Sequence, residues 1–237
     1  MRSLMTVFSL AMFLPFSASA DVVADFKDKF PSVGVEAQKS SYIPGYTQLD
    51  LKGGKQAHIS PDGYFFVGDV FKLSADAGVV NLSESTRKGE RVVLLKSDQA
   101  DEPVVFAAIG EKKGSITVFT DVDCAYCRKF HNEVPELQNA GIEVKYLAYP
   151  RAGVSSATGT KMRSVWCSAD QNQTMTLAKQ GAVPDIVDCP TPAIRKHYEL
   201  GKRIGVSGTP TIVLDDGSVI PGYQPAAQLI RLLGNKS

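Results

Sequence analysis

After Leu4–Phe16 the 237-residue chain has no long apolar run, and even that stretch is shorter than the ~20 residues a bilayer-spanning helix requires. A polytopic membrane protein is therefore excluded. Excess charge is missing too: the formal net charge is +1, and no cluster of Lys or Arg marks a nucleic-acid or other polyanionic partner. With 43% hydrophobic and 22% charged residues, the composition is neither disordered nor collagen-like. Internal repeats and low-complexity tracts are absent. Histidine is scarce, and His58, His131 and His197 are scattered. Cysteine is limited to four residues. The length suits one large domain or two modest ones.

The beginning of the chain reads as a removable export signal over residues 1–20. Arg2 supplies the basic start, the apolar stretch follows, and small residues end at Ala18-Ser19-Ala20 before Asp21. Cleavage after Ala20 leaves 25 cationic and 25 anionic side chains, a balanced mature chain. Export into an oxidising compartment favours disulfide chemistry over metal binding for the cysteines.

Two architectures follow one another. Residues 21–73 read as a small α+β unit. A short amphipathic helix carries Val22, Val23, Phe26 and Phe30 and is ended by Pro31; a three-strand meander then runs from Tyr42 to Leu73, with turns at Gly53-Gly54 and Pro61-Asp62-Gly63. Such a short segment buries only a thin core, so the unit is expected to dimerise. Residues 74–102 read as a helical linker, with Gly89 weakening the helix by ~1 kcal/mol relative to Ala. Residues 103–237 have an α/β pattern. Strands are expected at Val104–Ile109, Ile116–Thr120 and Ile142–Ala148, and a helix from Cys124 toward Ala140 is interrupted at Pro135 and stopped by Gly141. Helical segments near 155–169 and 191–201 follow, then a hairpin turned by Asp215-Asp216-Gly217 and a last helix near 225–233.

The cysteines form two unlike pairs. Cys124 and Cys127 make a C-x-x-C where a strand hands over to a helix, so the first sulfur meets the N–H groups and positive dipole end that favour a thiolate. Cys124 is the candidate nucleophile. Cys127 lies one turn on, placed to attack a mixed disulfide at Cys124 as the resolving thiol. Zinc would need a second tight ligand pair, and Cys167 and Cys189 are 22 positions apart. A cysteine hydrolase would need a histidine held against the thiol, whereas His131 reads as a solvated helix residue.

A further set of residues carries a resemblance. Phe119-Thr120-Asp121 before the C-x-x-C, Leu147-Ala148-Tyr149-Pro150-Arg151, Trp166-Cys167, Gly205-Val206-Ser207-Gly208-Thr209-Pro210 and Pro221-Gly222-Tyr223-Gln224-Pro225 closely resemble the DsbC/DsbG family of bacterial periplasmic disulfide isomerases. The likeness is dense from Val104 onward and thinner over residues 21–102. It implies a thioredoxin-like catalytic domain joined by a helical linker to an N-terminal module that makes a V-shaped homodimer. It also implies periplasmic location, chaperone activity, no cofactor, misfolded secreted proteins with wrong disulfides as substrates, and the inner-membrane reductase DsbD as electron donor.

Residue by residue, the resemblance makes Cys124 the attacking thiol and Cys127 its partner. Pro210 matches a cis-proline beside the site, and Thr209 the residue before it. Thr209 and Pro210, with Ala125 and Tyr126 between the cysteines, form the expected substrate-binding surface, and Cys167 with Cys189 a structural disulfide. Two positions depart from familiar patterns. Ala125-Tyr126 stands where the enterobacterial form has Gly-Tyr, and Val118 stands where thioredoxin has a buried acid. Asp123, next to the nucleophile, opposes thiolate formation if its carboxylate points inward. Within the resemblance, a DsbG-like selective reductase that protects single cysteines is an alternative, as is a protein acting mainly as a holdase chaperone. A DsbA-like oxidase fits less well because that type has no separate N-terminal module.

Overall fold

The structure, a computed structural model, describes residues 21–185 and 189–234. The expected export signal, residues 1–20, lies outside the described residues. Helix α1 (Val22–Lys29) starts at Asp21, whose carboxylate accepts the Val23 and Ala24 N–H groups, and it buries Val23 and Phe26. Beneath it, β1 (Val35–Ser40), β2 (Thr47–Leu51), β3 (Lys55–Ile59) and β4 (Phe65–Val67) form an antiparallel sheet in chain order. The core here is small: Val23, Phe26, Leu49, Leu51, Ala57 and Ile59.

The expected three-strand meander is thus a four-stranded sheet. The added strand β1 pairs with β2 but carries Glu36, Gln38 and Lys39 and is mostly exposed. It belongs to the sheet through backbone pairing, without the apolar alternation that marks a half-buried strand. The last strand of the sheet ends at Val67. Phe71 begins a separate hairpin, β5 (Phe71–Ser74) with β6 (Gly78–Asn81), in the stretch expected to lead straight into the linker helix.

Helix α2 (Leu82–Leu95) follows, capped by Asn81, whose side chain accepts the Glu84 N–H at 2.8 Å. Arg87 ties it to Asp69, and Arg91 donates to the Gly217 carbonyl at 3.2 Å. Gly217 has φ 78°, and a Cβ there would lie 2.1 Å from the Lys88 carbonyl oxygen. Only glycine lets this turn approach the helix so closely.

The larger sheet has the order β11-β10-β8-β9-β7, built from β7 (Val104–Phe106), β8 (Gly114–Thr120), β9 (Ile142–Ala148), β10 (Thr211–Leu214) and β11 (Val219–Pro221). Strand β8 runs parallel to β9; the other neighbouring pairs are antiparallel. The alternation of β8 divides the core between the two faces. Ile116 and Val118 face a large cluster that includes Phe130, Leu137, Met162, Val165 and Leu229, from α3 (Ala125–Asn132), α4 (Val134–Asn139), α5 (Ala157–Trp166) and α8 (Ala226–Gly234). Phe119 faces the other side, with Leu200 and Ile204 of α7 (Ala193–Ile204).

One helix was not expected. α6 (Gln171–Lys179) reads Gln-Asn-Gln-Thr-Met-Thr-Leu-Ala-Lys, and only Met175 and Ala178 give it a buried apolar side. A disulfide joins Cys167, the C-cap of α5, to Cys189. Closing a loop of 22 residues stabilises the fold by about 3 kcal/mol in the chain-entropy account.

Candidate active site

The central strand β8 delivers the chain to Thr120 and Asp121, and a short turn brings Cys124 to the N-cap of α3 in extended conformation. Cys124 is 3% exposed and Cys127 fully buried, so the first sulfur is the one nearer solvent. Both are free thiols. The Cys124 thiol contacts the Thr209 carbonyl oxygen at 3.2 Å, across 85 residues of sequence.

That carbonyl sits on a loop held from three sides. Tyr149 donates its hydroxyl to Val206 O at 2.9 Å, Thr211 donates to Gly208 O at 2.7 Å, and the Gly222 N–H donates to Pro210 O at 2.9 Å. The Thr209–Pro210 peptide is cis. The Thr209 hydroxyl is buried beside the Cys124 sulfur. The structure therefore brings Cys124, Cys127, Thr209 and Pro210 into one place, while Cys167 and Cys189 stand apart as a disulfide.

The two thiols are electrostatically unequal. A hydrogen bond from the Cys127 thiol, aided by the Thr209 side-chain hydroxyl, the Cys127 backbone N–H and the Arg151 charge, pulls Cys124 down to about 5 against the opposing effect of burial. Burial, with the hydrogen bond to Cys124, pushes the Cys127 thiol far up. Cys124 is thus the thiolate at neutral pH. Its alkylation rate by iodoacetamide is expected to stay level from pH 9 to pH 6 and to halve near pH 5. A midpoint near the ordinary ~8.5 would contradict this assignment. Between those values the folded reduced protein binds fewer protons than the unfolded chain. Its stability relative to Cys124→Ser therefore grows as pH rises through that window and is lost as pH falls through about 5.

Surrounding charges are arranged to leave that thiolate in place. Asp121, buried, accepts from the Asp123 N–H at 2.8 Å and from the backbone N–H and Nε of Arg151, each at 3.0 Å. It thereby fixes Arg151 beside the cysteines. The Asp123 carboxylate is engaged by Thr158 at 2.7 Å, Lys161 at 2.9 Å and Arg128 at 3.5 Å. Burial raises its pKa, but these donors outweigh burial and hold it below the usual carboxylate value. Its negative charge is compensated by Lys161 and Arg128 and does not face the thiolate unpaired.

Of the two residues between the cysteines, Ala125 opens α3 and Tyr126 is 62% exposed. The Tyr126 ring stacks with Tyr223 at 6.4 Å, and Lys129 lies over the Tyr223 ring at 4.4 Å. Tyr223 and the Ala226 N–H both donate to Glu133, tying α8 to this rim.

His131 is not the solvated residue its position suggested. It is 6% exposed, its ring nitrogens bond the Tyr146 and Thr176 hydroxyls at 3.0 and 3.1 Å, and burial holds it down to about 4. The i+7 spacing from Cys124 puts it on the inner side of α3, where α6 covers it. Asp121 and Arg151 lie within sequence motifs already singled out, but their mutual contact was not legible there. Lys179, which donates to Thr120 and to the Asp121 carbonyl, was missed together with its helix.

Comparison with known proteins reaches the same class. Residues 105–237 match the family described as Thioredoxin-like domain. The thiol-disulfide exchange protein alpha-DsbA2 from Wolbachia pipientis shares the fold, with a TM-score of 0.54 at 16% identity, covering 67% of this chain and all of that one. A protein with a thioredoxin-like domain is thereby defined. The chain is also 37% identical to the thiol:disulfide interchange protein DsbC of Dickeya dadantii, across 98% of this chain and 95% of the relative. It is 33% identical to that of Escherichia coli K12, across 94% and 92%. This chain belongs to the DsbC family of thiol:disulfide interchange proteins.

Proposed function

We propose that the chain is exported, cleaved after Ala20, and acts in the periplasm as a homodimeric protein disulfide isomerase on misfolded secreted proteins. The observation that carries this reading is the Cys124 thiol at the head of α3, against the Thr209 carbonyl and over a buried Cys127. The Cys124 thiolate attacks one sulfur of a wrong disulfide. A Cys124–substrate S–S bond forms, the substrate S–S bond breaks, and the leaving sulfur departs as a thiolate that takes up a proton. A second substrate thiolate then attacks the mixed disulfide, makes a new substrate disulfide and returns the Cys124 thiolate, with no net redox change. Alternatively Cys127 attacks; the substrate leaves fully reduced by two electrons, and the Cys124–Cys127 disulfide must be reduced again. By family resemblance the donor is DsbD.

Thr209 and Pro210 offer backbone to an extended substrate segment, and Ala125 with the exposed Tyr126–Tyr223 stack supplies an apolar surface tolerant of unrelated sequences. Dimerisation is favoured by the smaller sheet. Among the described residues its strand β4 pairs only with β3, leaving an edge that carries exposed Tyr64, Phe65, Phe66 and Val67. Two such modules would enclose a cleft between two sites and support the accompanying chaperone activity.

Trapping tests the chemistry. The Cys127→Ser protein, mixed with a scrambled multi-disulfide substrate, should accumulate covalent complexes on non-reducing gels that dithiothreitol dissolves. Absence of complexes, or their formation by Cys124→Ser protein as well, would overturn the assignment of Cys124.

A further inference from the structure

Lys179 ends α6 and is 3% exposed, although its side chain carries an ammonium. Its Nζ donates to the Thr120 hydroxyl at 2.6 Å and to the Asp121 carbonyl at 3.0 Å, and it lies 5.6 Å from the centre of the Tyr146 ring. Both hydrogen-bond acceptors are neutral, and among the described residues no carboxylate forms an ion pair with it. A buried cation without a counter-charge is costly, and the fold would be more stable with an apolar side chain in its place. Its location suggests what offsets that cost. Thr120, which accepts from Lys179, is also hydrogen-bonded to the Cys127 thiol.

The titratable and charged groups around Lys179 leave few anions to balance it. From α3 come Cys127, His131, kept neutral by burial, and Arg128, which repels it. From β9 comes Tyr146, kept neutral by complete burial. From the turn after β8 come Cys124 and Asp121, whose carboxylate is engaged by Arg151. The cysteine sulfurs are therefore the groups whose change of charge the ammonium feels most directly.

We propose that Lys179 is a positioning residue for sulfur exchange: through the Thr120 hydroxyl its buried ammonium prepares the Cys127 sulfur for the negative charge that develops in the resolving attack, and by its charge beneath the Cys124 thiolate it favours the dithiol over the disulfide. This rests on the reading of Cys124 and Cys127 as the exchanging pair. In the resolving step the Cys127 S–H bond gives up its proton to water, the Cys127–Cys124 bond forms, and the Cys124–substrate bond breaks. The substrate sulfur leaves as a thiolate and is protonated by water. Lys179 gains and loses no atom; its charge stabilises the sulfur while that charge develops. In the reverse direction, a donor thiolate attacking Cys124 expels Cys127 as a thiolate, and the same ammonium receives it. Once the disulfide forms, the ammonium loses the Cys124 thiolate, the sulfur anion it faces at neutral pH while Cys127 rests as a thiol, and this makes the dithiol the favoured state.

The test is the redox equilibrium of the full chain against glutathione buffers, for the wild type and for Lys179→Met, which keeps the length of the side chain without its charge. At pH 7 the Met variant should shift toward the disulfide by about tenfold, the equivalent of one unit of thiol pKa and about 30 mV for a two-electron couple. The gap should close below about 5, where Cys124 is protonated, and above about 8, to which burial pulls Lys179 down. Thr120→Val should shift the equilibrium in the same direction by less. The Lys179→Met protein should also melt at a higher temperature, which establishes that it folds. An equilibrium equal to wild type across pH, with only the melting temperature changed, would make Lys179 merely structural and overturn the proposal.

A second readout needs no variant. By NMR of labelled lysine in the wild-type protein, the Lys179 amine should titrate at lower pH in the disulfide form than in the dithiol. Equal midpoints would overturn the proposal independently. If neither protein exchanges with glutathione at all, the reading of the cysteine pair falls first and takes this one with it.

Discussion

Cys124→Ser protein should restore no activity to a scrambled substrate, its rate falling to that of the uncatalysed reaction. The expected loss is complete because two properties vanish together. At pH 7 the wild-type sulfur is held as a thiolate by the Cys127 thiol, the Thr209 hydroxyl, the α3 N-terminus and Arg151. A serine hydroxyl is neither ionised there nor able to form the mixed disulfide on which every later step depends. Substitution at Cys127 should behave differently. It removes the reducing branch and leaves the isomerising branch, so appreciable shuffling activity should survive together with trapped complexes. The contrast also separates enzyme from holdase. Protection of an unfolding client against aggregation should be untouched by Cys124→Ser, and if that protection accounted for the biological role, the variant would retain it.

Val67→Asp should convert the proposed dimer to a monomer and remove most of the proposed isomerase activity while leaving the reduction of a small disulfide near wild type. Val67 is 53% exposed at the end of β4, on the open edge of the smaller sheet. A carboxylate there would have to be desolvated in any strand-to-strand pairing, whereas in a monomer it is simply solvated. The proposed catalytic residues, Cys124 and Cys127, lie in the larger α/β unit, so their thiol chemistry should persist. What the proposed dimer would lose is the cleft that keeps a substrate near Cys124 long enough for a second substrate thiol to act. Sedimentation of the mature chain at micromolar concentration gives the mass directly. A monomeric wild type would defeat the assignment of the β4 edge.

Much of the larger unit was legible because it advertises itself in alternation and in glycine. β9 spans Ile142–Ala148, where Ile142, Val144, Tyr146 and Ala148 mark one face and Gly141, at φ 83°, ends the preceding helix. The interruption expected at Pro135 falls at Glu133, between α3 and α4, with Pro135 in the first turn of α4. What escaped had weak apolar periodicity. β1 is held by backbone pairing, the β5–β6 hairpin leaves Leu73 and Val79 exposed, and α6 contacts the core through few side chains. The cysteines and the Thr209-Pro210 segment were readable from local motifs. Their support was not: Asp121 with Arg151, Asp123 with Lys161, and Lys179 with Thr120 are separated by 30, 38 and 59 residues. His131 shows the same limit in reverse. A polar side chain on a polar helix reads as solvated until the hydroxyls of Tyr146 and Thr176 are brought to its two nitrogens.

The central claim is isomerisation through Cys124, and its most direct test is recovery of a scrambled multi-disulfide enzyme incubated with the reduced mature protein and no added oxidant. Wild type should restore activity catalytically, Cys127→Ser should restore a substantial part of it, and Cys124→Ser none. If wild type reduces a simple disulfide but leaves the scrambled enzyme inactive, the sulfur chemistry stands, isomerisation does not, and the protein is a selective reductase.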